Sequence, residues 1–303
     1  MQAEAFELTK NHELQMIRPS GNYFWGRVVA VSPNWTAVEK IMLKQVDLWY
    51  STGSGTMISE CHAATNMHVL FNPFDDLSYG AELARTATVV GLNKRGEPAV
   101  TQAETIMVTP SYWLEKDREE AKKQYKKDVP FYRINEDIAL IRLRPIIAPD
   151  EHGVIRRQQF ARRWFPLASA PPGNQLMMGV SAYTHSYIEA REINADIPFA
   201  LMVDYNCRAS YIDKYGYVNM RGTCHVIAGM SGGAIVNKIG DPVLYGLIQG
   251  ANWLEQGAPK KDQPELYNPE KFANLRLNNY VAIWPHRERI LKAMAEHPCE
   301  RLN

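Results

Sequence analysis

Short runs of apolar and β-branched residues, separated by Gly, Pro or Asn, recur along most of the chain. Runs of this length and spacing are typical of strands in all-β proteins. In the first half of the chain they predict strands at 27–31, 46–51, 55–59, 62–66, 86–92, 103–108 and 137–143. In the second half they predict strands at 176–183, 199–207, 222–226, 233–237, 243–248 and 278–283. The pattern therefore indicates two consecutive groups of strands.

Four other segments have different patterns. Residues 114–128 are highly charged with helical preference, which predicts a surface helix inside a loop. Residues 145–172 are rich in Pro and Arg and predict the connection between the two groups of strands. Residues 287–294 place their apolar side chains at the spacing of an amphipathic helix. Residues 1–24 are weakly patterned, and we expect an arm across the back of the second group.

Composition narrows the class of protein. The chain has 303 residues, 46% of them hydrophobic and 22% charged, as in an ordinary globular protein of about two domains. A net charge of +1 gives no bulk electrostatic basis for binding nucleic acid, so no such partner is expected. No apolar run approaches the length of a membrane-spanning helix. The first ten residues show no secretory leader, which leaves a cytoplasmic location open.

Three separated segments suggest nucleophilic catalysis. Residues 229–236 read Gly-Met-Ser-Gly-Gly-Ala-Ile-Val, which predicts a tight turn leading into a buried strand, with Ser231 as the candidate nucleophile. A serine hydroxyl needs a base and a group that orients the base. His68, in Thr-Asn-Met-His-Val, is the candidate base. Asp137, in Asp-Ile-Ala-Leu-Ile, is the candidate orienting acid.

Each of these residues also has a purely structural interpretation. A serine between glycines is commonly a turn residue, and a single histidine after a strand is commonly packed or solvated. The competing histidines are His62, His185 and His225. Glu136 is the competing acid, but strand alternation directs its side chain opposite to that of Asp137. The occurrence of all three segments in one chain favours the chemical interpretation.

The ordered set Thr-Asn-x-His-Val, Asp-Ile-Ala-Leu-Ile and Gly-x-Ser-Gly-Gly resembles the catalytic segments of chymotrypsin-fold (trypsin-like) serine peptidases, nearest to the bacterial glutamyl-endopeptidase branch. The resemblance implies an all-β fold of two six-stranded antiparallel β-barrels with a C-terminal α-helix. The first barrel would occupy 25–145, the second 165–285, and the helix and tail 286–303. It also implies a serine endopeptidase that cleaves protein or peptide substrates through a Ser-His-Asp triad and an acyl-enzyme.

The resemblance assigns further roles near the serine. The backbone N–H groups of Gly229 and Ser231 would form the oxyanion hole. Residues 248–250 would pair with the substrate backbone as an added strand. Glutamate-specific relatives have a histidine where this chain has Ile248, so a preference for glutamate is not implied. The substrate-binding residues would be His225, Ile248, Gln249, Gly250 and Ala251.

Met230 departs from the pattern of the digestive enzymes. Those enzymes have an aspartate immediately before the serine, which pairs with a newly formed amino terminus on activation. Neither that aspartate nor an Ile-Val-Gly-Gly start is present in this chain. We therefore expect an oxyanion hole that forms without an amino-terminal-insertion zymogen switch.

The chain has cysteines at 61, 207, 224 and 299. Relatives often have a disulfide near the specificity pocket, so the resemblance implies a Cys207–Cys224 bridge, with two free thiols as the alternative. A bridge, like the resemblance itself, would favour a secreted or periplasmic location. Cys61 and Cys299 have no evident partner.

No metal or cofactor is expected from the sequence. Cys61-His62 and Cys224-His225 are adjacent pairs and lack the ligand spacing of a zinc site. A monomer is favoured.

Two other functions compete with the peptidase. Gly-Met-Ser-Gly-Gly also fits the nucleophile turn of esterases and lipases, but that fold would need alternating strands and helices before the serine and the acid and histidine after it. The second rival is a catalytically silent homologue that uses the cleft to bind a protein.

Overall fold

The computed structural model describes residues 5–7, 14–17, 26–34, 53–70, 84–92, 98–109, 123, 136–150, 152–161, 163–173, 176–184, 199–214, 217–222, 224, 229–250 and 278–302. The strands in chain order are β1 (Ala5–Glu7), β2 (Leu14–Ile17), β3 (Val28–Pro33), β4 (Gly53–Met57), β5 (His62–Thr65), β6 (Thr86–Leu92), β7 (Pro98–Val108), β8 (Ala139–Leu143), β9 (Ile146–Pro149), β10 (Ile155–Gln158), β11 (Leu176–Thr184), β12 (Phe199–Lys214), β13 (Tyr217–Gly222), β14 (Ala234–Asn237), β15 (Leu244–Gly250) and β16 (Asn278–Ala282). The described helices are α1 (Met67–Leu70) and α2 (Arg287–Glu296), the latter preceded by a 3₁₀ turn at Trp284–His286. None of the described helices is long and apolar enough to cross a membrane.

The first group of strands forms a closed six-stranded antiparallel barrel in the order β3-β4-β5-β8-β7-β6. Its strands lie within a few residues of the predicted ones, and β6 coincides with the predicted 86–92. The predicted strand at 46–51 lies outside the described residues, as does the predicted helix at 114–128 apart from residue 123. β3 lies close against Gly55 of β4, since a Cβ added there would lie 2.8 Å from the Val31 side chain.

The second group forms an eight-stranded antiparallel sheet in the order β1-β2-β12-β11-β14-β15-β16-β13, with an additional pairing between β12 and β13. We predicted a closed six-stranded barrel here. Six strands, β11–β16, do come from the predicted part of the chain, but in the described residues the sheet has eight strands and is not closed. Residues expected to form an arm instead provide β1 and β2, and β2 pairs with β12 from Leu201 to Asp204. Without β2, this edge of β12 would present unpaired backbone groups. Of the strand predicted at 222–226, Gly222 is the last residue of β13, and residues 223, 225 and 226 lie outside the described residues.

The segment predicted as a plain connection contains a hairpin. β9 and β10 pair from Ile146 opposite Gln158 to Pro149 opposite Ile155. The Asp150 carboxylate accepts the N–H groups of His152 and Val154 in the turn. The predicted C-terminal helix is confirmed as α2, which buries Ile290 and Ala293.

Three apolar clusters follow the two faces of the strands. One fills the first barrel and includes Val29, Ala63 and Ile141. Another fills the second sheet and includes Met220 and Tyr280. The third combines residues of both sheets and of α2: Val28, Ala64, Leu140, Val180, Val236 and Ile290. Because adjacent residues such as Ala63 and Ala64 point to opposite faces, the same strands build the barrel interior and the contact between the two sheets.

Two disulfides join distant parts of the chain. Cys207 of β12 is bonded to Cys224, which follows β13, as the resemblance implied. Cys61 is bonded to Cys299, at a sequence separation of 238 residues. The second bridge corrects the view that these two cysteines have no partner. It attaches the segment after α2 to the residue immediately before β5.

Candidate active site

His68 and Asp137 lie side by side at one end of the first barrel. β5 ends at Thr65, opposite Ala139 at the start of β8, so the residues just after β5 and just before β8 meet. His68 is in the short helix α1, and its Nδ1 lies 2.5 Å from Oδ2 of Asp137. The backbone N–H of His68 donates to Oδ1 of the same carboxylate at 2.9 Å. Asp137 is fully buried, whereas the side chain of His68 is 31% exposed.

This contact determines which ring nitrogen of His68 holds the proton. A carboxylate oxygen accepts hydrogen bonds, so the shared proton belongs to Nδ1 and the lone pair lies on Nε2. A histidine in this tautomer can act as a base through Nε2. Burial alone would lower the pKa of His68, but the charge of Asp137 and the hydrogen bond to it outweigh burial, so the pKa is raised above 6.5.

Gln249 joins the other two candidate residues. The register of β15 against β16 shifts between Ile248 and Gly250, which makes Gln249 the extra residue of a β-bulge. Bulges redirect side chains and are frequent near active sites. The Gln249 side chain is buried and its Nε2 donates to Oδ2 of Asp137 at 3.1 Å. Its backbone carbonyl accepts the hydroxyl of Ser231 at 2.9 Å.

Gln249 therefore contacts both Ser231 and Asp137. The hydroxyl hydrogen of Ser231 points at the Gln249 carbonyl in this geometry. To give this hydrogen to a base, the hydroxyl of Ser231 must turn away from the Gln249 carbonyl, by rotation about its Cβ–Oγ bond or its Cα–Cβ bond. Asn66, which we did not single out in the sequence, also positions the acid, since its side chain donates to the Asp137 carbonyl at 2.9 Å. Its signal was its place in the Thr-Asn-x-His-Val segment.

The turn that contains Ser231 is attached to the first barrel by β4. The N–H of Ser54 donates to the Ser231 carbonyl at 2.6 Å. The hydroxyl of Thr56 donates to the Gly232 carbonyl at 2.9 Å. A methyl group added at Gly53 would lie 2.6 Å from the Val69 side chain and 2.9 Å from the Ser231 carbonyl oxygen. The residue after His68 and the residue proposed as nucleophile thus contact the same glycine.

Glycine is required on both sides of Ser231. Gly229 and Gly232 each have a φ of +87°, a conformation that L side chains rarely adopt. A Cβ at Gly232 would also lie 1.9 Å from the Ser54 carbonyl oxygen. Among the described residues, neither the backbone N–H of Gly229 nor that of Ser231 donates a hydrogen bond.

The expected substrate-binding residues occupy different environments. The Ile248 side chain is fully buried, its N–H donates to Gly233 and its carbonyl accepts from Gly232. Gln249 contacts Asp137 and Ser231, as described above. Gly250 is the last residue of β15. His225 and Ala251 lie outside the described residues.

Of the competing histidines, His62 lies at the opposite end of β5 from His68, opposite Arg142 in the register. It is buried, and its Nε2 donates to the His297 carbonyl at 2.8 Å. His185, like His225, lies outside the described residues. Asp137 is the acid that contacts His68.

No family model and no curated protein matches the sequence. Solved structures do match the fold. One is the structure of Glu endopeptidase in complex with MPD. The alignment with it covers 95% of this chain and 100% of that chain, at 10% identity and a TM-score of 0.52. Crystal structures of Deg5 and of a serine endoprotease from Yersinia pestis have TM-scores of 0.44 at 10% and 12% identity. They cover 88% and 90% of this chain, and this chain covers 86% and 64% of theirs.

The first of these likenesses, together with the closed six-stranded barrel, the second antiparallel sheet and the C-terminal helix, shows that the chain has a chymotrypsin-like fold.

Proposed function

We propose that the protein is a serine endopeptidase in which Ser231 is the nucleophile, His68 the base and Asp137 the residue that orients the base. The observation that supports this most strongly is the His68–Asp137 contact, in which a buried carboxylate accepts both the ring N–H and the backbone N–H of one histidine. That double contact fixes both the tautomer and the position of the ring. A histidine that only filled space would not need it.

In this proposal, Nε2 of His68 takes the hydroxyl proton as Ser231 Oγ attacks the carbonyl carbon of the substrate. Asp137 stabilises the imidazolium that forms and does not itself become protonated. The oxyanion accepts hydrogen bonds from the N–H groups of Gly229 and Ser231. Imidazolium then gives its proton to the leaving amine, and water repeats the sequence on the acyl-enzyme.

We also propose that the oxyanion hole forms without insertion of a new amino terminus. Met230 is fully buried in the apolar cluster of the second sheet, and its carbonyl accepts the N–H of Gly233 at 2.9 Å. An apolar side chain held in a core needs no ionic partner to order the turn. The domain division at 25–145, 165–285 and 286–303 belongs to the same proposal.

The proposal extends to substrate and location. The substrate side chain before the cleaved bond would lie near His225 and Gly250, and a cleavage profile on a peptide library would identify the preferred residue. The two disulfides favour an oxidising compartment, which suits a secreted or periplasmic enzyme.

Covalent labelling tests the proposal. An alkyl fluorophosphonate should label the intact protein once per chain, at Ser231 by peptide mass spectrometry. Labelling should disappear in Ser231→Ala, fall at least about 10³-fold in His68→Ala, and remain in the matched control Ser32→Ala on β3. A larger kcat/KM for peptides than for short acyl esters would support the endopeptidase, and the reverse would support the esterase.

The catalytically silent homologue is the second candidate. The hydrogen bond from the Ser231 hydroxyl to Gln249 favours it, because a hydroxyl that stays in this position does not transfer its proton to His68. Folded protein that resists the fluorophosphonate from pH 6 to 9 and still binds peptides would establish this function and overturn the endopeptidase.

A further inference from the structure

A cluster of potential metal ligands lies at the far end of β5 from His68. Cys61, His62 and Cys299 each provide one ligand atom, and these atoms lie within 4.8 Å of one another. Cys61 and His62 are buried and Cys299 is half-buried. We call these three residues the Cys61 cluster. In the structure its two cysteines form a disulfide.

The hydrogen bonds of His62 define its tautomer. Nε2 lies 2.8 Å from the carbonyl oxygen of His297, which can only accept, so the proton is on Nε2. Nδ1 therefore has the lone pair, which accepts the hydroxyl of Ser59 at 2.7 Å and lies 3.5 Å from Sγ of Cys61. A metal-bound histidine usually donates its second ring N–H to a backbone carbonyl or carboxylate in this way. His62 thus has the tautomer of an Nδ1 ligand, with its lone pair directed at the Ser59 hydroxyl, while the Cys61 sulfur lies beside the ring, 3.5 Å from Nδ1 and 3.8 Å from Nε2.

The ligand atoms are close to one another but do not yet have the spacing of a bound ion. With Zn–S near 2.3 Å and Zn–N near 2.0–2.1 Å, two ligand atoms of a tetrahedral zinc site lie about 3.5–3.8 Å apart. The three ligand atoms lie within 4.8 Å of one another and the Cα atoms of Cys61 and Cys299 are 5.8 Å apart, so an ion requires the disulfide to open and the cysteine side chains to rotate towards Nδ1. Two thiolates would balance the charge of a divalent cation.

The chain around the cluster is held by contacts that do not involve sulfur. The Cys61 carbonyl accepts the N–H of Leu143 at 2.7 Å. On the tail, Arg142 donates to the Pro298 carbonyl at 3.0 Å and Gln159 to the Glu300 carbonyl at 2.7 Å. Arg157 and Glu300 form an ion pair at 2.5 Å. Opening the disulfide would therefore leave both thiols close to His62.

We propose that the Cys61 cluster is a redox-dependent site for one thiophilic divalent ion, with Zn²⁺ as the preferred ion. The ligands are Sγ of Cys61, Sγ of Cys299 and Nδ1 of His62, and water fills the fourth position. A dithiol first supplies two electrons and two protons to the disulfide and becomes a disulfide itself. The two new thiols then lose their protons as the ion binds, the Ser59 hydroxyl leaves Nδ1, and the ion keeps its oxidation state.

The sequence concealed this site because its third ligand lies far along the chain. Cys61-His62 by itself lacks the spacing of a zinc site, and Cys299 joins it only through the docking of the tail. The proposal concerns a region away from Ser231 and does not depend on peptidase activity.

Cobalt(II) binding tests the proposal, since cobalt reports its ligands by absorption. The full chain is reduced with dithiothreitol, desalted without oxygen and titrated with Co²⁺, all in a Cys207→Ser/Cys224→Ser background that removes the other thiols. We expect one Co²⁺ per chain with a thiolate-to-cobalt charge-transfer band, displacement by Zn²⁺, and no binding by the oxidised protein. The same titration of the reduced wild-type chain keeps the test valid if the double variant does not fold.

His62→Gln decides the role of the histidine, because it retains both thiols. It should weaken Co²⁺ binding at least about tenfold and change the visible bands. Ser59→Ala removes the competing hydroxyl together with its hydrogen bonds from the N–H groups of Cys61 and His62, and it should retain all three ligands and the charge-transfer band. Absence of the charge-transfer band, unchanged binding in His62→Gln, or binding that persists in Cys299→Ser would each overturn the proposal.

Discussion

The contact between Gln249 and Asp137 leads to a specific prediction for Gln249→Glu. The substitution keeps the length of the side chain but places a second carboxyl 3.1 Å from Oδ2 of Asp137, in a buried position. Two charges at this distance repel by about 5 kcal/mol at an effective dielectric constant of about 20. That repulsion is large enough to keep the introduced carboxyl protonated at neutral pH. As a neutral acid it can donate its O–H to Asp137 much as the amide does.

The stability of Gln249→Glu should depend on pH, because the folded and unfolded chains hold the new proton differently. The unfolded chain releases the proton of the new glutamic acid near pH 4, whereas the folded chain keeps it. Relative to wild type, the free energy of unfolding of Gln249→Glu should therefore fall by about 1.4 kcal/mol per pH unit above that point. The fall should level off where the carboxyl ionises in the folded chain. Above that pH, the repelled side chain should also displace the bulge and slow labelling of Ser231 at least tenfold, by about 1.4 kcal/mol.

Gln249→Leu is the matched control. It removes the same hydrogen bond to a charged group, which is worth about 1.5–3 kcal/mol, but adds no titrating group. Its unfolding free energy and its labelling rate should both be reduced by factors that do not vary with pH. Urea unfolding and fluorophosphonate labelling of the two variants and wild type are compared from pH 4.5 to 9. Parallel profiles for Gln249→Glu and Gln249→Leu would refute the placement of this side chain against Asp137.

Three further predictions concern the site and the disulfides. Gly232→Ala should lower the free energy of unfolding in urea by about 3 kcal/mol or more, since it combines a strained φ with a clash against Ser54. Gly153→Ala, at a similar φ with open space around it, should lower it by only about 1 kcal/mol, and equal losses in the two variants would contradict the clash. Asp137→Asn should lower labelling about 10⁴-fold and lower the pKa of His68, which moves the acid limb of the rate profile to lower pH. Because the wild-type pKa of His68 is above 6.5, the His68–Asp137 pair should stabilise the fold fully below pH 6.5. This contribution should be lost as the pH rises through the folded-state pKa. Replacing Cys61 and Cys299 by Ser should destabilise the oxidised protein by about 5 kcal/mol, because the closed loop spans 238 residues. Replacing Cys207 and Cys224 by Ser should destabilise it by about 3 kcal/mol, because that loop spans only 17 residues. A larger loss of thermal stability in the second double variant would contradict this prediction.

Local patterns were sufficient to predict the strands of the first barrel and the helix α2. β6 alternates between buried and less buried residues, β8 is an almost continuous run of buried apolar residues, and both patterns are visible in a short window. β1 and β2 were missed because they are short and weakly patterned, and their stabilisation comes from pairing with the distant β12. The pairing of Cys61 with Cys299 was missed for the same reason, since no local signal connects residues separated by 238 positions.

The candidate site shows, in physical terms, which contacts local sequence patterns can predict and which they cannot. Ser231, His68 and Asp137 could be proposed from the sequence because each lies in a short segment of characteristic composition. The contacts that bring their segments together are made by Ser54, Thr56 and the bulged residue Gln249. Their backbone acceptors are the carbonyls of Ser231, Gly232 and Gln249 itself. Every residue type has a backbone carbonyl, so the sequence does not show which residue accepts a hydrogen bond. A polar residue in a strand such as β4 therefore cannot be distinguished by pattern alone from one that is exposed to solvent. Its burial is what shows that it must have a partner, because a buried hydroxyl without one would cost about 1–3 kcal/mol.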